Sequence, residues 1–284
     1  MKRRNFVKAS STIAATALMT GLYAWQIEPF WIDFEHVKMP VKNLPKKLIG
    51  KRIMQISDVH VGNDFELDFL INAFEKAKRY KPDFVFYTGD FISYVNAKQF
   101  KQLTKVFKHA VKGKMGTFGV LGNHDYGYRW SQIKVANAVT KILRKSGIGI
   151  LSNEKVNIRG LNIIGLDDYW SPRYNPRPIL RTVNKRMANI VLCHNPDVCD
   201  LNVWNNYDGW ILSGHTHGGQ CKPPFLKPPI LPVKNKRYTS GKFDFEDGRT
   251  LYINRALGHS KQIRFNVRPE ITLFKLDKIQ HDGT

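Results

Sequence analysis

The sequence predicts an α/β fold in which two β-sheets stack face to face with helices outside them. Three observations predict it. From about residue 50 to 150, short apolar runs alternate with stretches of helical periodicity, the order of strand and crossover helix. After residue 150, strand-like runs follow one another with less helix between them, so a second sheet is expected. With 284 residues, 42% of them apolar and 24% charged, the chain can bury one sizeable core, which excludes a disordered or fibrous protein.

The chain opens with Lys2-Arg3-Arg4-Asn5-Phe6-Val7-Lys8 and then runs without a charge from Ala9 to Trp25. Paired arginines followed by x-Phe-Val-Lys and a weakly apolar run resemble a twin-arginine export signal, although Lys2 stands where Ser or Thr is usual. Residues 1–25 are therefore expected to engage the twin-arginine export machinery and to place the protein in the periplasm or on the outer face of the cytoplasmic membrane. The alternative is an uncleaved membrane anchor. Residues 26–49, punctuated by Pro29, Pro40 and Pro45, read as a linker, and residues 50–284 as the folded domain.

Within that domain the apolar runs at 53–56, 84–88 and 117–121 read as strands. Leu67, Leu70, Phe74 and Ala77 recur at helical spacing, and residues 97–112 and 130–146 read as two further helices. Residues 156–164 form an expected hairpin around Gly160, followed by strands at 190–193, 210–213, 250–254 and 271–275.

Charge narrows the function without choosing it. Lys and Arg number 45 against 23 Asp and Glu, a formal +22, and the first eight residues hold only four of those cations. Such a surplus suits nucleic acid, an anionic membrane or a phosphorylated substrate. Residues 222–242 carry Lys222, Lys227, Lys234, Lys236, Arg237 and Lys242, no acid and five prolines. This segment reads either as a semi-rigid basic lip or as a solvated loop. Three cysteines at no repeated spacing exclude a disulfide scaffold and a thiolate zinc module.

Ligand-type residues recur just beyond the apolar runs. Asp58-Val59-His60 follows the first, and an Asp and a His two apart on an extended segment project to one side. Gly89-Asp90 follows the second and Gly122-Asn123-His124-Asp125 the third, then come His194-Asn195 and Gly214-His215-Thr216-His217-Gly218. Singly, Asp-x-His reads as a loop or helix cap, Gly-Asp as a turn and a lone His as a core residue. Two alternating histidines between glycines are harder to assign to packing, because glycine permits close approach and neutral imidazole is the commonest metal ligand.

In this order and within one domain, D-x-H, G-D, G-N-H-D, H and G-H-x-H resemble the calcineurin-like metallophosphoesterase superfamily. The twin arginines, Gly218-Gly219-Gln220, Lys236-Arg237-Tyr238 and Arg268-Pro269-Glu270-Ile271-Thr272 are similar to its YaeI/YkuE group of bacterial phosphodiesterases. The resemblance implies a four-layer αββα sandwich and two divalent ions per chain, from among Mn, Fe, Zn, Ni and Co. It places one ion on Asp58, His60 and His217, the other on Asn123, His194 and His215, and Asp90 between them. It gives His124 the role of stabilising the transition state or protonating the departing oxygen; Asp125, next to it in the chain, is expected to orient that ring. The implied reaction is hydrolysis of an anionic phosphoester, such as a phospholipid or another envelope substrate, through a hydroxide shared by the two ions. A pyrophosphate hydrolase acting on UDP-2,3-diacylglucosamine in lipid A synthesis is the alternative. A basic nucleic-acid-binding protein with a degenerate metal site is the least favoured, since no nucleic-acid module is recognisable. Association with a membrane or envelope surface and a monomeric state complete the expectation.

Overall fold

Strand β2 (Arg52–Ile56) shows why two sheets are needed. Met54 and Ile56 pack on one side with helical residues, while Ile53, on the opposite face, joins a second apolar cluster. A strand buried on both faces requires a layer on each. The computed structural model, which describes residues 3–62 and 66–279, supplies both layers.

The first sheet has the order β1-β12-β2-β3-β4-β5, with β1 (Asp33–Val41), β3 (Phe84–Thr88), β4 (Gly116–Val120), β5 (Gly149–Ile150) and β12 (Glu270–Lys278). Helices α2 (Leu67–Lys78), α3 (Lys98–Phe107) and α4 (Ile133–Lys145) cover its outer face through Phe74, Leu103, Phe107, Val139 and Leu143. The second sheet has the order β10-β11-β9-β8-β7-β6. Its strands are β6 (Glu154–Ile158), β7 (Leu161–Gly165), β8 (Ala188–Leu192), β9 (Trp210–Ser213), β10 (Gly241–Asp244) and β11 (Thr250–Ile253). Phe84, Phe86 and Phe274 from the first sheet meet Ile163, Ile190 and Leu212 from the second in the shared core. The fourth layer is thin: the six-residue helix α5 (Pro176–Arg181) contributes Leu180, and loop residues Trp204, Tyr207 and Tyr238 do the rest.

The segment expected as a linker is corrected here. Residues 33–41 form the edge strand β1, paired in parallel with β12 over its whole length. Met39 and Val41 point into the core with Pro40 between them. Proline at an edge strand is tolerated because its missing N–H faces no partner, so the residue that looked like a breaker is compatible with the strand. Helix α4 also begins later than its periodicity suggested. Arg129 and Trp130 take positive φ of 50° and 56°, and the turned Trp130 stacks on Trp170 at 4.5 Å between ring centroids. Helix α3 ends at Phe107, after which Ala110 and Val111 turn into the core.

Helix α1 (Arg3–Leu22) spans most of the 1–25 segment expected as a signal, of which residues 1 and 2 lie outside the described residues, and buries none of its side chains. No helix among the described residues is long and apolar enough to cross a membrane. The chain joins the packed body at once afterwards: Arg264 N–H donates to the Ala24 carbonyl at 2.9 Å, and the buried Glu28 carboxylate accepts from Val267 N–H.

Candidate metal centre

Every ligand-type motif follows the carboxyl end of a strand. Strands β2, β3 and β4 run parallel in one sheet and β8 and β9 in the other, so five such ends converge at one edge of the sandwich. Gln55 ties the two sheets beneath that point, donating to Thr88 Oγ1 at 3.0 Å and to the Ser213 carbonyl at 2.9 Å. No motif in the sequence marks Gln55. Its signal is only a buried amide inside an apolar strand.

The fold gathers the motif residues into two buried groups, Asp58, His60 and His217 in one and Asp90, His194 and His215 in the other, with the candidate ligand atoms of each group within 4.8 Å of one another. Asp90 touches both: its Oδ2 lies 3.2 Å from His194 Nε2 and 3.5 Å from His60 Nε2. Asn123 lines the same cavity as Asp90 and His215, and its Oδ1 is buried without a hydrogen-bond partner among the described residues.

The donor set fits two cations. His194 Nδ1 faces the Thr88 carbonyl at 2.7 Å and His215 Nε2 the Pro232 carbonyl at 2.8 Å. A carbonyl accepts only, so each ring carries its proton outward and turns its lone pair inward. His60 uses its outer Nδ1 on Ser93 Oγ at 2.9 Å. The inward nitrogens then crowd together, His60 Nε2 to His217 Nε2 at 3.0 Å and His194 Nε2 to His215 Nδ1 at 3.2 Å. Lone pairs at that distance are held stably by a cation between them. Ser93 and the Thr88 and Pro232 carbonyls were not legible in the sequence, because they are brought in by loops distant along the chain.

Electrostatics points the same way. Burial would raise the Asp58 and Asp90 carboxyls, but the neighbouring imidazoles, His217 and His194 for Asp58 and His194 and His124 for Asp90, hold both below the usual carboxylate range. Burial lowers His60, and with the charge of His194 pushes His215 down to about 3, so both rings are neutral ligands at neutral pH. His194 is shifted upward, since Asp90 and Asp58 outweigh burial there. The negative field that favours a proton on His194 equally favours a cation.

The backbone is bent to make this site. Asp58, His60, Asp90, His215 and His217 all have φ between 51° and 71°, at a cost of order 1–3 kcal/mol each. Two glycines allow the carboxylates in. A Cβ on Gly122 would sit 2.2 Å from Asp90 Oδ1, and one on Gly214 would sit 2.2 Å from Asp58 Oδ2. The motif glycines are thus the cradle for the two acidic ligands.

Asp125 has a different place from the one expected. It is fully buried, accepting the N–H groups of Phe91 and Ile92 on Oδ1 and of Gly122 on Oδ2. The short 3₁₀ turn His124–Tyr126 sends adjacent side chains in different directions, so Asp125 ties the β3 and β4 loops together rather than orienting the His124 ring. Asp125→Ala leaves three buried donors unpartnered and is expected to lower stability by about 3 kcal/mol or more. A urea midpoint equal to that of the parent would refute this role. His124 is half-buried at the cavity wall, 5.0 Å from His60 between ring centroids, and its N–H donates to Asp90 Oδ1 at 2.8 Å.

Other polar and thiol groups near the site have structural partners. Asp167 accepts from the Tyr126, Ser152 and Ser171 hydroxyls, and Asp168 accepts from Trp170 N–H. Cys193, beside His194, turns its thiol to the Asn195 carbonyl, and Gln220 latches loop 260–263 through the Lys261 and Ile263 carbonyls. Trp170 does reach the site, edge-on to His215 at 4.6 Å.

A two-sheet sandwich with paired His/Asp clusters at its strand ends defines a metal-dependent hydrolase of phosphate esters. Residues 51–219 match the calcineurin-like phosphoesterase family, and the chain belongs to that family. It is 31% identical to the uncharacterized metallophosphoesterase YkuE of Bacillus subtilis, an alignment covering 97% of this chain and 98% of that protein. It is 28% identical to the phosphodiesterase YaeI of Escherichia coli over 97% of this chain and 99% of the other. It is also 29% identical to the UDP-2,3-diacylglucosamine pyrophosphatase LpxG of Chlamydia trachomatis, over 93% and 95% of the two chains.

Proposed function

We propose that the protein hydrolyses a lipid-linked phosphodiester at the cell envelope, using two divalent ions held by Asp58, His60, Asp90, Asn123, His194, His215 and His217. The observation that carries this reading is the cavity above the two clusters. It has a volume of about 460 Å³, a floor of Asp90, Asn123 and histidines, and walls that include Trp130, Trp170, Pro229, Ile230 and Ile263. A phosphate needs the floor. Apolar walls of that extent suit a substrate with a hydrocarbon part.

Divalent ions in these clusters would supply an activated water and neutralise the phosphoryl oxygens. The chain itself does the rest. The outward hydrogen bonds of His60, His194 and His215 fix each ring, and Gly122 and Gly214 seat Asp90 and Asp58. His124, at the cavity wall, gives a proton to the departing oxygen. Nitrogen and oxygen donors without thiolate suit Mn, Fe, Co, Ni or Zn. With the enzyme loaded with Mn, kcat/KM is expected to be higher for an intact phospholipid diester than for the same headgroup on unacylated glycerol. Equal values would reject the lipid reading and leave the phosphodiesterase.

A second reading is favoured by the similarity to LpxG: hydrolysis of a nucleotide-linked diacyl sugar pyrophosphate, whose acyl chains would use the same walls. Location separates the two, since that substrate belongs to the cytoplasmic face. Arg3 and Arg4, the first residues of α1, support export by the twin-arginine route. A reporter fused after Trp25 is expected to be exported only in cells with a working twin-arginine system, and its retention inside would favour the nucleotide substrate.

A further inference from the structure

The loop that walls one side of the cavity has features that hydrolysis does not use. It reads Lys222-Pro223-Pro224-Phe225-Leu226-Lys227-Pro228-Pro229-Ile230. Leu226 N–H donates to the Pro223 carbonyl at 3.2 Å, closing a turn with Pro224 second and Phe225 third. Phe225 has φ of 64°, the conformation that glycine normally supplies in a type II turn and that strains an aromatic residue. The strain buries nothing: Phe225 is fully exposed, and Leu226 and Ile230 are exposed as well. A proline-stiffened turn that holds an aromatic ring out into solvent is built for something outside the chain.

The charges around it have one sign. Behind the turn lies a second concavity of about 410 Å³, lined by Lys222, Lys227, Lys236, Arg237 and Arg255 and by no acidic residue. Arg255 is committed to Glu270 and Asp33, and Lys236 to the Leu231 and Val233 carbonyls. Lys222, Lys227 and Arg237 have no ion-pair partner among the described residues. Lys261 and Ile263 also line the metal cavity, and between them Gln262 donates to the Trp25 carbonyl at 3.1 Å. The root of α1, with its exposed Leu18, Met19 and Leu22, therefore stands at the same mouth.

We propose that this rim docks on an anionic phospholipid bilayer. Phe225 and Leu226 enter the acyl layer, Lys222, Lys227 and Arg237 meet lipid phosphates, and the mouth of the metal cavity is held at headgroup level. The inference deepens the lipid reading of the cavity, yet its test needs no turnover. Full-length protein treated with chelator is floated with vesicles of phosphatidylcholine alone or mixed with phosphatidylglycerol. Binding to the mixed vesicles is expected to be about tenfold tighter or more and to weaken with salt. Phe225→Asp with Leu226→Asp, and separately Lys222→Glu with Lys227→Glu, should each reduce it by about tenfold or more. Phe225→Asp with Leu226→Asp should keep the parent's rate on soluble bis-p-nitrophenyl phosphate. Equal binding to neutral vesicles, or binding at parental strength by either double variant, overturns the proposal, the second outcome assigning the membrane to α1 alone. Should the aspartate variant lose soluble hydrolysis, the lysine variant decides by itself. Docking without phospholipid hydrolysis in the metal-loaded enzyme would retain this surface and reject the lipid reading.

Discussion

Asp90→Ala is expected to reduce hydrolysis of bis-p-nitrophenyl phosphate to the level left by a chelator, with loss of bound metal. Asp90 belongs to one group and reaches the other, its Oδ2 lying against both His194 and His60. Its other oxygen accepts the His124 backbone N–H and lies against Gly122. Removing it takes away one of the two carboxylates in the proposed ligand set and leaves Asp58, Asn123 and four imidazoles to hold two cations. Asp90→Asn keeps the shape and drops the charge, and should fail in the same assay. Elemental analysis showing a full metal complement with normal turnover in either variant would remove Asp90 from the centre.

His124→Ala is expected to separate chemistry from metal binding. Its imidazole belongs to neither ligand group, while the contact that steadies Asp90 comes from its backbone N–H, which alanine retains. Turnover should fall by about 10²–10⁴, the usual contribution of a positioned proton donor, with both metals still bound. The loss should shrink for a substrate whose leaving group needs no proton, such as p-nitrophenolate compared with an alkoxide. Metal loss in this variant would make His124 a ligand instead.

Much of the centre was legible because ligand chemistry leaves a mark on residue type. An Asp-x-His, a Gly-Asp, a Gly-Asn-His-Asp and a Gly-His-x-His each following an apolar run state both the donors and the strand ends that carry them. Asp125 was misread for the same reason: adjacency along the chain to His124 suggested contact, whereas a 3₁₀ turn separates neighbours and commits this carboxylate to three backbone donors. Pro40 misled in the opposite direction, since proline inside a strand is tolerated at a sheet edge, and no local signal says that residues 33–41 will be an edge.

The sequence by itself determined the alternation of strands and helices, the ligand-type motifs that follow the strands and the presence of a basic, proline-rich segment after the last motif. Those properties are local, set by periodicity and side-chain chemistry over a few residues. Only the tertiary structure decided which carbonyls fix the imidazole tautomers, that Asp125 turns away from His124, that Trp130 and Trp170 wall the cavity, and that Phe225 stands out beside its mouth. Together these depend on loops from both sheets meeting at one edge. Pairing across more than a hundred residues is governed by how the two sheets pack, and no short window of sequence contains it.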